Sequence, residues 1–338
     1  MIGFDYLRPA SVAEAVAARA SSPEARFVAG GTNLVDLMKY DVETPRRLID
    51  IGRLPLRGIE DLPGGGLRLG ALVTNAEVAY DPRVEDRYPL LASALLAGAS
   101  AQLRNAATTA GNLLQRTRCY YFYDVGTPCN KREPGTGCPA ITGQNRIHAI
   151  LGASDQCIAT HPSDMAVALA ALEATVRVTG PAGERAIQIG DFHRLPGDRP
   201  DQDTTLGLDE LVLAVDLPPA RFGRHVTYLK LRDRLSYAFA LVSVAAALRV
   251  ENGRIAEARL ALGGVAHKPW RDPDAEAGLV GLAPEREAFA ACAERLLAGA
   301  RGYEHNRFKI ELARRAIPRA LAQAAAGAPQ SQIDKRVA

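Results

Sequence analysis

Residues 27–39, FVAGGTNLVDLMK, run from a short apolar strand through a double glycine into a helix start. Glycines let backbone approach an anion closely, and successive N–H groups at a helix N-terminus supply positive potential for a phosphate. Thr32 and Asn33 can add side-chain hydrogen bonds. The stretch is not G-x-G-x-x-G and no G-x-x-x-x-G-K-[ST] occurs in the chain, so neither a Rossmann fingerprint nor a P-loop applies. A lone Gly-Gly before a helix is most often only a turn. Two further small-residue turns are similar in kind, TTAGN at 108–112 and ATHPSDM at 159–165. Three such turns can close on one extended ligand if the fold brings them together.

Strands and helices alternate around this stretch. Ser11 and Glu14 form an S-x-x-E capping box that predicts a helix to about Ala20. ARFVAG and RRLIDI read as strands, YPLLASALLAGA and ALAALEA as helices, and TVRVTG and RAIQIG as strands again. From about His225 the pattern changes to two long alternating runs joined through Asn252-Gly253, a hairpin signal, and then to a helical stretch at 284–326. These patterns predict an α+β domain over residues 1–222 and a smaller domain of antiparallel sheet and helices over 223–330.

The chain has 338 residues and a net charge of +3, with 47% hydrophobic and 23% charged residues. That length suits two or three domains, and so small a charge, without a basic stripe, does not imply a nucleic-acid or membrane-surface partner, and none is expected. The most apolar run, 239–248, is about half of what a membrane span needs. No basic leader with an apolar core opens the chain. A cytoplasmic protein is expected, or one carried folded into the periplasm by a partner that has the leader.

Four of the five cysteines lie within residues 119–157, with nine, eight and eighteen residues between Cys119, Cys129, Cys138 and Cys157. The segment is rich in Gly and Pro and has no helical or strand period from 126 to 154. Irregular loops of that length inside compact domains need a reason, and four thiolates supply one. They can hold a zinc ion or an iron-sulfur cluster. Structural zinc sites favour C-x2-C knuckles, which are absent here, and a cubane accepts sulfurs from separate loops. Arg116, Arg118, Lys131, Arg132 and Arg146 lie nearby in sequence and could offset a cluster's negative charge. Ordinary semi-buried thiols are the remaining reading, and Cys292, alone in FAACAERLL, is read as that.

In order along the chain, AGGTNLVDLMK, RNAATTAGN and HPSDMAVALAALEA, followed by a lysine-bearing hairpin, resemble the FAD-binding medium subunit of the molybdenum hydroxylases, the xanthine dehydrogenase family. The cysteine insertion, at about 115–158, narrows the resemblance to the FAD subunits of bacterial periplasmic-type aldehyde oxidoreductases, which carry a [4Fe-4S] cluster there. The resemblance implies a vanillyl-alcohol-oxidase-type FAD domain of two subdomains and a C-terminal domain like that of carbon monoxide dehydrogenase flavoproteins. It places Phe27, Val28, Ala29, Gly30, Gly31, Thr32, Asn33 and Leu34 around the FAD pyrophosphate, and Thr108, Thr109, Gly111, Asn112, Ser163 and Asp164 around the rest of the cofactor. Lys230 falls where the family has a lysine near the isoalloxazine ring, and is the one residue given a role beside the reacting group; otherwise it would be a solvated strand lysine. Cys119, Cys129, Cys138 and Cys157 become the cluster ligands.

The expected function is electron transfer within an aldehyde oxidoreductase. A large molybdenum-cofactor subunit would oxidise substrate, a small [2Fe-2S] subunit would pass electrons on, and FAD in this chain would deliver them to an external acceptor. A xanthine dehydrogenase subunit, the corresponding subunit of a benzoyl-CoA-type reductase, and a zinc-stabilised binding module are the alternatives. No segment reads as a nicotinamide-binding loop.

Overall fold

The computed structural model describes residues 1–332. Three parallel strands open the chain: β1 (Asp5–Leu7), β2 (Ala25–Val28) and β3 (Arg47–Asp50), in the order β1-β3-β2. The helix Val12–Ala20 connects the first two and starts as its sequence predicts, with the Glu14 N–H donating to Ser11 Oγ at 3.1 Å. The Glu14 carboxylate reaches one residue further back than in a full capping box and accepts from the Ala10 N–H at 2.7 Å. The helix Leu34–Lys39 follows β2 after the double glycine.

The second sheet is antiparallel: β4 (Ile59–Asp61), β5 (Leu67–Gly70), β6 (Thr175–Gly180), β7 (Gly183–Gln188) and β8 (Leu211–Leu217), in the order β4-β5-β8-β6-β7. The sequence reading passed over β8, which is its central strand. LVLAVDL lacks the polar alternation of an edge strand because both of its faces are covered.

The third sheet consists of β9 (Val226–Leu231), β10 (Val242–Glu251) and β11 (Arg254–Gly263), antiparallel in the order β11-β10-β9. Asn252 (φ 51°) and Gly253 (φ 73°) make the tight turn that their identities predict. The two runs do not alternate apolar and polar. In β10, Ala245 and Ala247 enter the core shared with the helices Pro89–Ala97 and Asp164–Ala171, while Val244, Ala246 and Leu248 enter a second core beneath the helices Arg286–Leu296 and Phe308–Ala325. This sheet is therefore a shared wall between the two cores.

The cysteine segment is as irregular as expected. Between the short helix Tyr120–Tyr123 and the helix Asp164–Ala171 there are only a 3-10 turn, Pro139–Ile141, and an isolated bridge between Ser154 and Cys157. Its apolar cluster is small, and two of that cluster's members are Cys119 and Cys157. Among the described residues no helix is long and apolar enough to cross a membrane.

Candidate functional site

The three small-residue turns meet. Gly30 packs so closely on the second turn that a Cβ there would lie 1.8 Å from the Ala106 carbonyl oxygen. Asn33 Oδ1 accepts from the Arg116 N–H at 3.0 Å, and Ser163 Oγ donates to Asn112 Oδ1 at 2.6 Å. Gly31 has φ +71°, a conformation that side chains other than glycine resist.

Around the junction lies a cavity of about 720 Å³, within the range of a large cofactor site. Thr32, Asn33, Gly111, Asn112, Asp164 and Lys230 are on its wall. Phe27, Val28, Ala29, Gly30, Gly31, Leu34, Thr108, Thr109 and Ser163 are not among the wall residues; they shape the turns behind it. Thr108 Oγ1, for example, caps the helix Thr109–Leu113 by accepting from the Gly111 N–H at 3.2 Å.

Sequence reading missed Asn75, Arg104, Arg118, Tyr120 and Tyr237, all on the same wall. Asn33 Nδ2, Asn75 Oδ1, Arg104 Nε and Arg118 Nε are buried there without a hydrogen-bond partner. Buried polar groups are almost always paired, and three of these four atoms are donors. Such a lining suits an acceptor-rich, anionic ligand, and so fits the pyrophosphate of FAD. Arg104 stood inside the quoted RNAATTAGN motif and was legible to that extent; Asn75 carried no signal.

Lys230 is not a solvated lysine. Its side chain is 2% exposed, and its Nζ donates to Asp164 Oδ2 at 2.7 Å and to the Ala97 carbonyl at 3.1 Å. Tyr228 OH donates to the other Asp164 oxygen at 2.7 Å. Asp164 thus spends both oxygens on the third sheet, and Lys230 meets the cavity as half of a neutral pair.

Cys119, Cys129, Cys138 and Cys157 line a second, smaller cavity together with Lys131 and His148. Burial pushes the Cys119 thiol up to about 12 and Cys157 to about 11, and the neighbouring thiols add to the rise. Backbone N–H groups of Phe122 and Tyr121 near Cys119, and the Lys131 charge and then the Ala159 N–H near Cys157, pull the other way. Four sulfurs from separate turns facing one cavity, with N–H groups directed at them, fit an iron-sulfur cluster. Among the described residues no three His, Cys, Asp or Glu side chains are grouped to hold a single metal ion.

Of the five cations near the cysteines in sequence, only Lys131 lies on this wall. It is 2% exposed and donates to Pro200 O, Asp203 Oδ1 and His267 Nε2. The others turn elsewhere: Arg116 pairs with Glu43 and Asp203, Arg118 with Asp36, and Arg146 with Asp233, while Arg132 donates to the Tyr121, Phe122 and Thr127 carbonyls. Proximity in sequence did not translate into proximity to sulfur because these long side chains reach across the loop to carboxylates and carbonyls.

The two cavities share a wall. Along the partition, Thr117, Cys119 and Tyr121 face the cysteine cavity, and Arg118 and Tyr120 face the large one. The pattern repeats on a second segment, where His148 is on the cysteine side and Ile147 on the other.

Comparison with known proteins agrees with this architecture. Residues 2–220 match the FAD binding domain in molybdopterin dehydrogenase, and residues 227–324 match the CO dehydrogenase flavoprotein C-terminal domain. The chain is 51% identical over 329 residues to the aldehyde oxidoreductase FAD-binding subunit PaoB of Escherichia coli K12, covering 97% of this chain and 100% of that protein. The carbon monoxide dehydrogenase medium chain of Hydrogenophaga pseudoflava is 28% identical, covering 94% and 96%. The solved structure of that organism's carbon monoxide dehydrogenase superposes with a TM-score of 0.75 at 28% identity, over 97% of this chain and 99% of the other. Quinoline 2-oxidoreductase from Pseudomonas putida 86 gives a TM-score of 0.74 at 27% identity, over 97% and 98%. With its turns, its cavity and its C-terminal sheet all in place, the chain belongs to the FAD-binding medium subunits of the molybdenum hydroxylase family.

Proposed function

We propose that this chain is the electron-transfer subunit of a molybdenum-containing aldehyde oxidoreductase, holding FAD in the large cavity and a [4Fe-4S] cluster on Cys119, Cys129, Cys138 and Cys157. Its partners would be a large molybdenum-cofactor subunit, a small [2Fe-2S] subunit and an external electron acceptor. The aldehyde assignment rests on the identity to the Escherichia coli subunit. The observation that carries the electron-transfer reading is the partition, on which neighbouring residues of the same two segments line opposite cavities.

When bound, FAD exchanges electrons singly or in pairs and a four-iron cluster exchanges them singly. The chain's own residues prepare for both. Thr32, Asn33 and Arg104 offer donors to the cofactor's phosphates and hydroxyls, and Gly111, whose N–H is spent on Thr108 Oγ1, leaves room on the wall beside them. The Lys230–Asp164–Tyr228 group fixes the floor, where the third sheet meets the helix Asp164–Ala171. Arg118, held by Asp36 and Tyr123 and lying 5.0 Å over the Phe239 ring, orders the wall between the sites. The irregular segment keeps four thiols together in a region with little apolar core of its own.

In the assembled complex, Cys129→Ser should retain FAD, and reduction of the flavin by aldehyde should slow at least ~10-fold, a barrier rise of about 1.4 kcal/mol. Reduction at molybdenum should keep its rate, and Cys292→Ser, in the C-terminal core, should leave both unchanged. An iron-depleted Cys129→Ser complex whose flavin is reduced at the parent rate would make the cysteine centre a structural staple instead.

A further inference from the structure

His148 belongs to none of the motifs above, yet among the described residues its imidazole is the one ring with a nitrogen placed against a cysteine of the centre. It is 1% exposed, and its Nε2 lies 3.1 Å from Cys119 Sγ. Its backbone is clamped from the C-terminal domain: the His148 carbonyl accepts from Lys309 Nζ at 2.7 Å and Asn306 Nδ2 at 3.2 Å. Its own N–H donates to the Asn145 carbonyl at 3.0 Å, and the Tyr120 ring meets the imidazole edge-on at 6.4 Å between centroids. The ring therefore has little freedom to turn away from the sulfur.

The other nitrogen, Nδ1, is buried without a partner. A neutral imidazole carries one ring proton. On Nδ1 that proton would be an unsatisfied buried donor, and the Nε2 lone pair would face the sulfur of a metal-bound thiolate. On Nε2 it is shared with the thiolate, and only an acceptor goes unmet. An unmet acceptor costs less than an unmet donor facing nothing while two lone pairs repel.

We propose that His148 is a positioning residue of the four-cysteine centre, donating its Nε2–H to the Cys119 sulfur and raising the reduction potential of the cluster held there. The inference rests on the cluster assignment made above. Hydrogen bonds to the ligating sulfurs are among the factors that set such potentials, because the donor is held more strongly by the sulfur after an electron is added. The residue gains nothing as a ligand: Cys119 already occupies the position that it faces.

The test uses the purified chain under anaerobic conditions. His148→Phe keeps an aromatic ring and removes the donor; His148→Gln restores an N–H. Both should keep the parent iron content. The cluster midpoint, read by potentiometric titration with EPR detection, should fall in His148→Phe by about tenfold in the redox equilibrium, ~59 mV for one electron, and recover at least partly in His148→Gln. In parent protein grown with 15N-histidine, pulsed EPR of the reduced cluster should show one coupled histidine nitrogen and an exchangeable proton. Full iron with an unmoved midpoint, or no such coupling in the parent, overturns the inference and leaves the cluster assignment standing. A three-iron signal in His148→Phe overturns it by making His148 a ligand. Parent protein without iron defeats the cluster assignment and this inference together.

Discussion

Gly30→Ala should yield a chain that is nearly devoid of FAD yet still folded in its C-terminal half. The added Cβ would sit 1.8 Å from the Ala106 carbonyl oxygen and 2.7 Å from its carbon, both backbone atoms that cannot swing aside. The first turn must then part from the second, and with it Thr32 and Asn33 leave the cavity wall. The β9–β11 core is built from other residues and should persist. Gly31→Ala should be milder, even though Gly31 has the left-handed φ. Its Cβ meets only Val35 Cγ2 at 3.1 Å, and the strained conformation costs about 1–2 kcal/mol. Flavin absorbance per chain after desalting separates the two; equal or reversed losses would mean that the close approach of the turns does not shape the site.

Lys230→Met should lower stability by about 3–5 kcal/mol, the usual cost of removing one partner of a buried ion pair. The Asp164 carboxylate would stay buried with Tyr228 as its remaining side-chain partner. Adding Asp164→Asn should recover most of the loss, because an amide accepts from Tyr228 without requiring a cation. The flavin potential should fall in Lys230→Met and return towards the parent value in the double variant, where the pair removed is neutral overall. The melting temperature of the FAD-loaded chain reports the first effect and a potentiometric titration the second. A single variant within about 0.5 kcal/mol of the parent, the range of ordinary surface changes, would remove the pair from the structure's support.

Much of this architecture was legible in the residues. FVAGGTNLVDLMK, TTAGN and HPSDM announced three turns, and Asn252-Gly253 announced the hairpin, because turn chemistry is local. What the turns meet is not local. The sequence cannot show that Gly30 is small for the sake of Ala106 and Gly31 for its own φ, since the two contacts differ by more than seventy positions in chain separation. Without the resemblance Lys230 would read as a solvated lysine, because a strand lysine usually is one; the carboxylate that buries it arrives from a helix sixty-six residues earlier. β8 was overlooked because a strand covered on both faces loses the alternation that marks strands. His148 gave no signal at all: a single histidine in an irregular loop acquires meaning only when the fold sets Cys119 beside it.

Two cofactors in adjoining cavities of one chain are the centre of the proposed function. Iron, zinc and flavin determined together on the same anaerobic preparation test that most directly. The expected result is about four iron atoms with one FAD per chain and no stoichiometric zinc; FAD accompanied by one zinc and no iron, or a chain that retains neither metal nor flavin, would contradict it.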